Sequence, residues 1–502
     1  MNILIFYGTD DFSSANLAIE YIKHGHDVTI LTCGGFYRNC RYNHYGMSAL
    51  CSYCTRKNGS YIKKTIKGYK NLISLNDIVL PEDLNTAVKF EFSFSNIDEV
   101  KAVMYKGVEV GYGAISTFVS STRNITPEFT DDLKNYLVRF IRQEIAVYEA
   151  VNRYVKEHCI DFMIFHNGRY HLFKPFLGVA QTNSIDFIAT EHYISKGVMM
   201  ENNFLNDVPH SVAANIEKMN KLWDNTPQDV REEMGRSFYE RRAKGIAAGD
   251  KVYILDQKEG SMPEDWNEKV ENISIFNSSE DEFCSISQEY DKRKLFKNQY
   301  IGLKAIFDHY KNDNTKHFYL RIHPNLKSIK TASVLDLYKL EYDNVTIIPP
   351  TSPISSYSLM SHSDKVIVFD STMGVESAYW GKPVISLTKF YATELKCSYD
   401  PNSEEELWKL LDSKLEALSN LNLLKFGLYM LYEIPNPIKN VDVYVASKKI
   451  LGHQENIQSV LKFMGSHTLN RLVFAFFNTN IPFVKKLLMP FAIVKAIPGN
   501  NQ

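Results

Sequence analysis

Between Lys365 and Ile385 the chain reads KVIVFDSTMGVESAYWGKPVI. An apolar run stops at Asp370, hydroxyls and a glycine follow, and a helix-like stretch from Gly374 to Trp380 leads through Gly381 to a second apolar run. That order puts Ser371, Thr372 and Gly374 at the turn after a strand, where unpaired N–H groups and hydroxyls suit a phosphate. Glu376, one turn further on, is placed to accept hydrogen bonds from ribose hydroxyls. Helix capping by Ser371 and Thr372 is the competing reading. Three more polar breaks end apolar runs. RIHPN brings Arg321 and His323 to a rim as donors for a diphosphate, and Pro324 stops the strand. FNSSEDEF brings Ser278 and Ser279, with Glu280 and Asp281 read as a solvated helix start. FHNGRY brings Asn167, Gly168 for close approach and Arg169 as a fork for an anionic group. Four polar breaks at four strand ends are better explained by one site than by four coincidences.

The elements that position these breaks alternate twice. Asn2 to Tyr7, a helical pattern over Ser13 to His24, and Asp27 to Leu31 read as strand, helix, strand. The theme returns at Ile160 to Phe165 and Asp186 to Thr190, with 33–126 between as an elaborated insertion. A second set runs through Ile273 to Phe276, Phe318 to Ile322, Val345 to Ile348, Lys365 to Phe369 and Val384 to Leu387, with a helix over Lys294 to Tyr310. The fold class expected is α/β, two Rossmann-like doubly wound domains facing a cleft at the carboxyl ends of their strands. The boundaries read as 1–225, a helical linker 226–265 placed on the charged, helix-prone stretch that begins at Trp223 and runs to Gly260, a second domain 266–435 and a helical tail 436–502.

Composition bounds the rest. The chain has 502 residues, 44% hydrophobic and 23% charged, with a formal net charge of −1. Two domains suit that length. A near-neutral chain lacks the basic face of broad nucleic-acid binding. MNILIFYGTDD runs into a strand-like segment with no basic n-region, and no window reads as a spanning helix, so no signal peptide and a cytoplasmic place are expected. Cys33, Cys40, Cys51 and Cys54 follow a C-x6-C-x10-C-x2-C pattern. A structural zinc site and reduced, partly buried thiols are both open. After Glu455 five basic and no acidic residues lie among LVFAFF and PFVKKLLMPFAIV. That tail suits either peripheral contact with the inner face of an anionic membrane or a closing helix across both domains.

The ordered set FHNGR, SSEDEF, RIHPN and SDKVIVFDSTMGVESAYWGKPVI resembles bacterial capsule and O-antigen glycosyltransferases of GT-B architecture, over roughly Met1 to Leu387. The resemblance implies a nucleotide-sugar donor held by the second domain, with Ser371, Thr372, Gly374 and Glu376 in its pocket and His323 near the phosphates. It implies a glycan or lipid-linked glycan acceptor, and catalysis without a metal. The His-Pro and Ser/Thr pair is also similar to transferases that use CMP-activated acidic sugars, so the nucleotide stays open between CMP, UDP and others. Such a transfer needs a base across the cleft and stabilisation of the departing phosphate. Candidates for the base are Asp10, Asp11, Glu191 and His192, the two aspartates being equally suited to capping the first helix. A CDP-glycerol-type polyol-phosphate transferase, a sugar-nucleotide epimerase and a non-catalytic scaffold of polysaccharide assembly remain alternatives.

Overall fold

Apolar runs in this chain pair side by side in parallel, and each pairing needs a helix to return the chain. The computed structural model describes residues 1–8, 11–44, 46–195, 198–246, 248–249 and 257–432. The first sheet uses β1 (Asn2–Tyr7), β2 (Asp27–Thr32), β3 (Asn71–Ser74), β4 (Phe162–His166) and β5 (Asp186–Thr190). A hairpin of β6 (His192–Ser195) and β7 (Val198–Glu201) follows, and β8 (Phe204–Leu205) joins the edge antiparallel to β5. The order is β3-β2-β1-β4-β5-β8. The second sheet is wholly parallel, β11-β10-β9-β12-β13, built from β9 (Glu271–Phe276), β10 (Lys316–Arg321), β11 (Val345–Ile348), β12 (Lys365–Val368) and β13 (Val384–Ser386). These are two α/β units of Rossmann-like form with a cleft between them.

Both faces of the second sheet are covered, which is why its strands read as continuous apolar runs. Ile273, Ile275, Phe318, Leu320 and Ile367 bury on one face, Phe276, Tyr319, Val366 and Val368 on the other. Register then sets the site. Phe276 lies opposite both Arg321 and Val368. The residues that follow, Asn277, Ile322 and Phe369, therefore emerge level with one another. In the first sheet Ile5 pairs with Ile164 and His166 with Thr190, so the loops after β1, β4 and β5 also leave at one height.

Several boundaries differ from the sequence reading. The stretch 33–126 supplies β3 to the sheet, a strand with only Leu72 and Ile73 apolar, which does not stand out as a run. The helix expected from Lys294 starts at Gln299, because the Asn298 side chain accepts from Ile301 N at 2.9 Å and caps it there. Within the charged stretch Trp223 to Gly260, the helix Gln228–Ala243 packs on Asn422–Tyr432. Residues 433–502, and with them the basic apolar tail, lie outside the described residues. Among the described residues no helix is long and apolar enough to cross a membrane.

Gly235 lets that helix pair close. A Cβ there would meet Leu424 O at 2.5 Å, and one on Gly427 would meet Gly235 O at 2.2 Å. Backbone cannot yield as a side-chain tip does. Gly235→Ala should therefore destabilise the full chain by roughly 1–3 kcal/mol, read as a lower urea midpoint; an unchanged midpoint contradicts the close approach.

Candidate functional site

The level ends of β9, β10 and β12 open into a cavity of 190 Å³ lined by Asn277, Ser278, Ser279, Arg321, His323, Asp370, Ser371 and Thr372. Arg321 ends β10 and is 2% exposed. Its guanidinium donates to Pro349 O at 2.7 Å and Ser352 O at 3.1 Å, while Nε is buried with no partner. Among the described residues it forms no ion pair, and burial pulls its pKa down to about 10. His323 accepts from Asn325 N through Nδ1 at 3.2 Å, which leaves the proton of the neutral ring on Nε2. Burial, with Arg123 nearby, holds it down at about 4, so it is neutral at pH 7.

The helix after β12 behaves differently from the sequence reading. It spans Met373–Tyr379, and Ser371 Oγ accepts from Met373 N at 3.3 Å. A Cβ on Gly374 would stand 2.9 Å from Val368 Cγ2, so this glycine seats the helix on β12. Glu376 is not on the rim. It is fully buried and accepts from Arg242 Nε at 3.2 Å, from Tyr357 OH and from Thr372 Oγ1 at 3.4 Å. One turn of helix carried it to the inward face, where it anchors the helix Gln228–Ala243 beside the cavity instead of meeting a ribose.

Arg321 is likewise turned inward, its fork engaged by carbonyls. Arg169, expected to hold an anion, instead docks the two halves: it donates to Glu282 O at 2.6 Å, to Cys284 O at 2.7 Å and to Ser116 Oγ. Arg123 adds a bidentate pair with Asp281 at 2.6 and 2.9 Å and donates to Ser279 Oγ at 2.7 Å. Glu280 and Asp281 are thus not a solvated helix start. Burial pushes Glu280 up to about 7 despite Lys294, and Gln299 N donates to it at 3.1 Å. Burial raises Asp370 to about 6 against the same lysine, with Tyr290 OH donating at 2.9 Å.

Across the cleft, the ends of β1, β4 and β5 gather a second polar group. Asp11 caps the helix Phe12–Lys23 by accepting from Ser14 N at 3.1 Å, and lies 3.5 Å from Thr190 Oγ1 and 4.0 Å from His192 Nδ1. Asn167 and Gly168 both take left-handed backbone, φ 58° and 73°, which turns the chain sharply after β4. Asn167 Nδ2 donates to Glu191. Burial would raise Glu191, but His166, His192 and His210 together hold its carboxyl below the usual range. His166 went unnoticed inside FHNGRY; it ends β4, with Nε2 3.8 Å from Glu191 Oε1. Asp10 lies outside the described residues. Asn167, Gly168 and Arg169 also line an interdomain cavity of 540 Å³ with Lys174, His210, Tyr290 and Arg293.

The cysteines make no tetrahedral set. Cys51 Sγ accepts from Asn43 Nδ2 at 3.1 Å and donates to Arg38 O at 3.4 Å, and burial pushes the Cys33 thiol up to about 11 and Cys40 higher still. None of the four is in a disulfide. Among the described residues the ligand-type atoms that do gather, within 4.8 Å of one another, belong to Asp11, His166 and His192.

No family model matches the chain, and no curated protein does. Similar solved structures include the Thermosulfurimonas dismutans KpsC beta Kdo 2,4 transferase, at 13% identity over 54% of this chain and 79% of that one, with a TM-score of 0.35. The beta Kdo 2,7 transferase of the same protein matches at 13% identity over 59% and 84%, TM-score 0.34. The UDP-GlcNAc 2-epimerase from Neisseria meningitidis, bound to UDP-GlcNAc, matches at 15% identity over 92% and 100%, TM-score 0.23. Likenesses this loose carry no argument about activity, which rests on the site itself.

Glu280 supplies a test of the clasp. Its folded pKa stands above the unfolded value, so ionising it costs the folded state stability as pH rises from about 4 through about 7. Glu280→Gln should therefore gain stability relative to the parent between pH 5 and pH 8 by urea unfolding. A pH-independent difference contradicts the buried placement.

Proposed function

We propose that the chain is a glycosyltransferase that moves a sugar from a nucleotide-activated donor to a growing surface polysaccharide, capsule or O-antigen. One observation carries this: Arg321, a buried cation without an anionic partner, in a cavity at the carboxyl ends of parallel strands. A buried charge left uncompensated is costly, and a phosphate in the cavity removes that cost. His323 and the hydroxyls of Ser278 and Ser371 line the same cavity and complete a polar set for the phosphate that departs in the reaction.

The acceptor hydroxyl must lose a proton. Glu191 is the base in this reading, and His192 N, donating at 3.2 Å, and Asn167 Nδ2 position it at the ends of β4 and β5. The 540 Å³ cavity beside Asn167, Gly168 and Arg169 offers room for an acceptor. The basic, apolar segment after Glu455 supports a place at the inner face of a membrane, where polysaccharide precursors are built.

A ligand that binds only the folded state raises the melting temperature. UDP, GDP, CDP, CMP or dTDP compounds should do so for the full chain. Arg321→Met should weaken the effective nucleotide on the order of 10- to 100-fold, the value of a charged hydrogen bond. Undiminished nucleotide affinity in that variant, or no shift with any nucleotide, contradicts the proposal.

A further inference from the structure

Three side chains that no helix or sheet repeat would bring together meet at the first sheet. Asp11 follows β1, His166 ends β4, and His192 opens β6 directly after β5. Each offers an oxygen or nitrogen within 4.8 Å of the other two. We propose that Asp11, His166 and His192 bind a divalent transition-metal ion.

Two observations support this beyond proximity. Asp11 and His166 are almost wholly buried, and the Nδ1 atoms of His166 and His192 are buried with no hydrogen-bond partner. A buried ring nitrogen without a partner is costly, and a metal ion is one partner that satisfies it. The surroundings are also those of a ligand set. His166 turns Nε2 toward Glu191 Oε1 at 3.8 Å, and Asp11 Oδ2 accepts from Ser14 Oγ at 2.6 Å, so groups behind the ligands orient them. Two imidazoles and one carboxylate with further positions open suit zinc or a neighbouring divalent ion, not calcium or magnesium, which prefer all-oxygen cages.

His192 Nδ1 and Asp11 Oδ1 stand 4.0 Å apart. Bonds of about 2.0–2.1 Å in a tetrahedron put ligand atoms roughly 3.3 Å apart, so loading needs only a small inward rotation. His192, the least buried of the three, is the side from which an ion enters. An ion here would lower the pKa of a hydroxyl or water bound to it, beside Glu191. The site does not depend on nucleotide binding across the cleft and stands or falls separately.

The test uses the full chain, stripped with a chelator and titrated calorimetrically with zinc, and with cobalt followed by its visible absorption. One equivalent should bind, and equally well in a Cys51→Ser, Cys54→Ser variant. His192→Ala and Asp11→Asn should each weaken binding at least on the order of tenfold; the asparagine keeps the helix cap, so loss of folding is not the cause. Absence of binding at roughly 100 µM zinc, unchanged affinity in both variants, or loss only in the cysteine variant overturns the assignment.

Discussion

The loop after β9 belongs to the second sheet, yet its charges are answered from the first. Arg123 grips Asp281 with two bonds and reaches Ser279, and Arg169 gathers the carbonyls of Glu282 and Cys284. Charge-assisted, two-point bonds of this kind set direction as well as distance. Both Arg123 and Asp281 are mostly removed from water, so salt screens them little, and removing one partner strands the other. The loop that joins the halves also carries Ser278 and Ser279 into the cavity. The same loop therefore lines the cavity and docks the two sheets.

Charge pairing around the cavity is uneven, and the unevenness is informative. Arg242 has Glu376, Arg123 has Asp281, and Lys101 and Lys294 share Asp291. Arg321 has only carbonyl oxygens, and burial pulls its pKa down. Asp370 and Glu280 face the same Lys294, and burial raises both pKa values against its pull. Carboxylates crowd the base of the cavity while an unanswered cation lines it.

Strand ends were the legible part of this sequence. Apolar runs bounded by polar breaks located nine of the strands to within a few residues, because both faces of the sheets demand continuous hydrophobicity. NLIS at β3 escaped because only Leu72 and Ile73 of its four residues are apolar. Which way a side chain turns was not legible: Glu376 is one helical turn from Thr372, but only the packing of Arg242 and Tyr357 decides that this face is inward. Contacts between domains were also beyond reach, since Arg123 and Asp281 lie 158 residues apart and neither sits in a repeat. The histidine pair with Asp11 was hidden for the same reason. A search for neighbouring acids or thiols sees ligands close in sequence, and here three separate strand ends supply one each.

Arg321 offers the most direct measurement. In arginine-labelled full-length protein, the Nε–H resonance of Arg321, assigned by its loss in Arg321→Lys, reports whether that atom gains a partner. Addition of the nucleotide that raises the melting temperature should shift this resonance strongly and slow its exchange with water, as a phosphate takes the unpartnered Nε. If the nucleotide binds and the Arg321 resonance stays where it was, the cavity at the ends of β9, β10 and β12 does not hold the phosphate, and the account of the site is wrong.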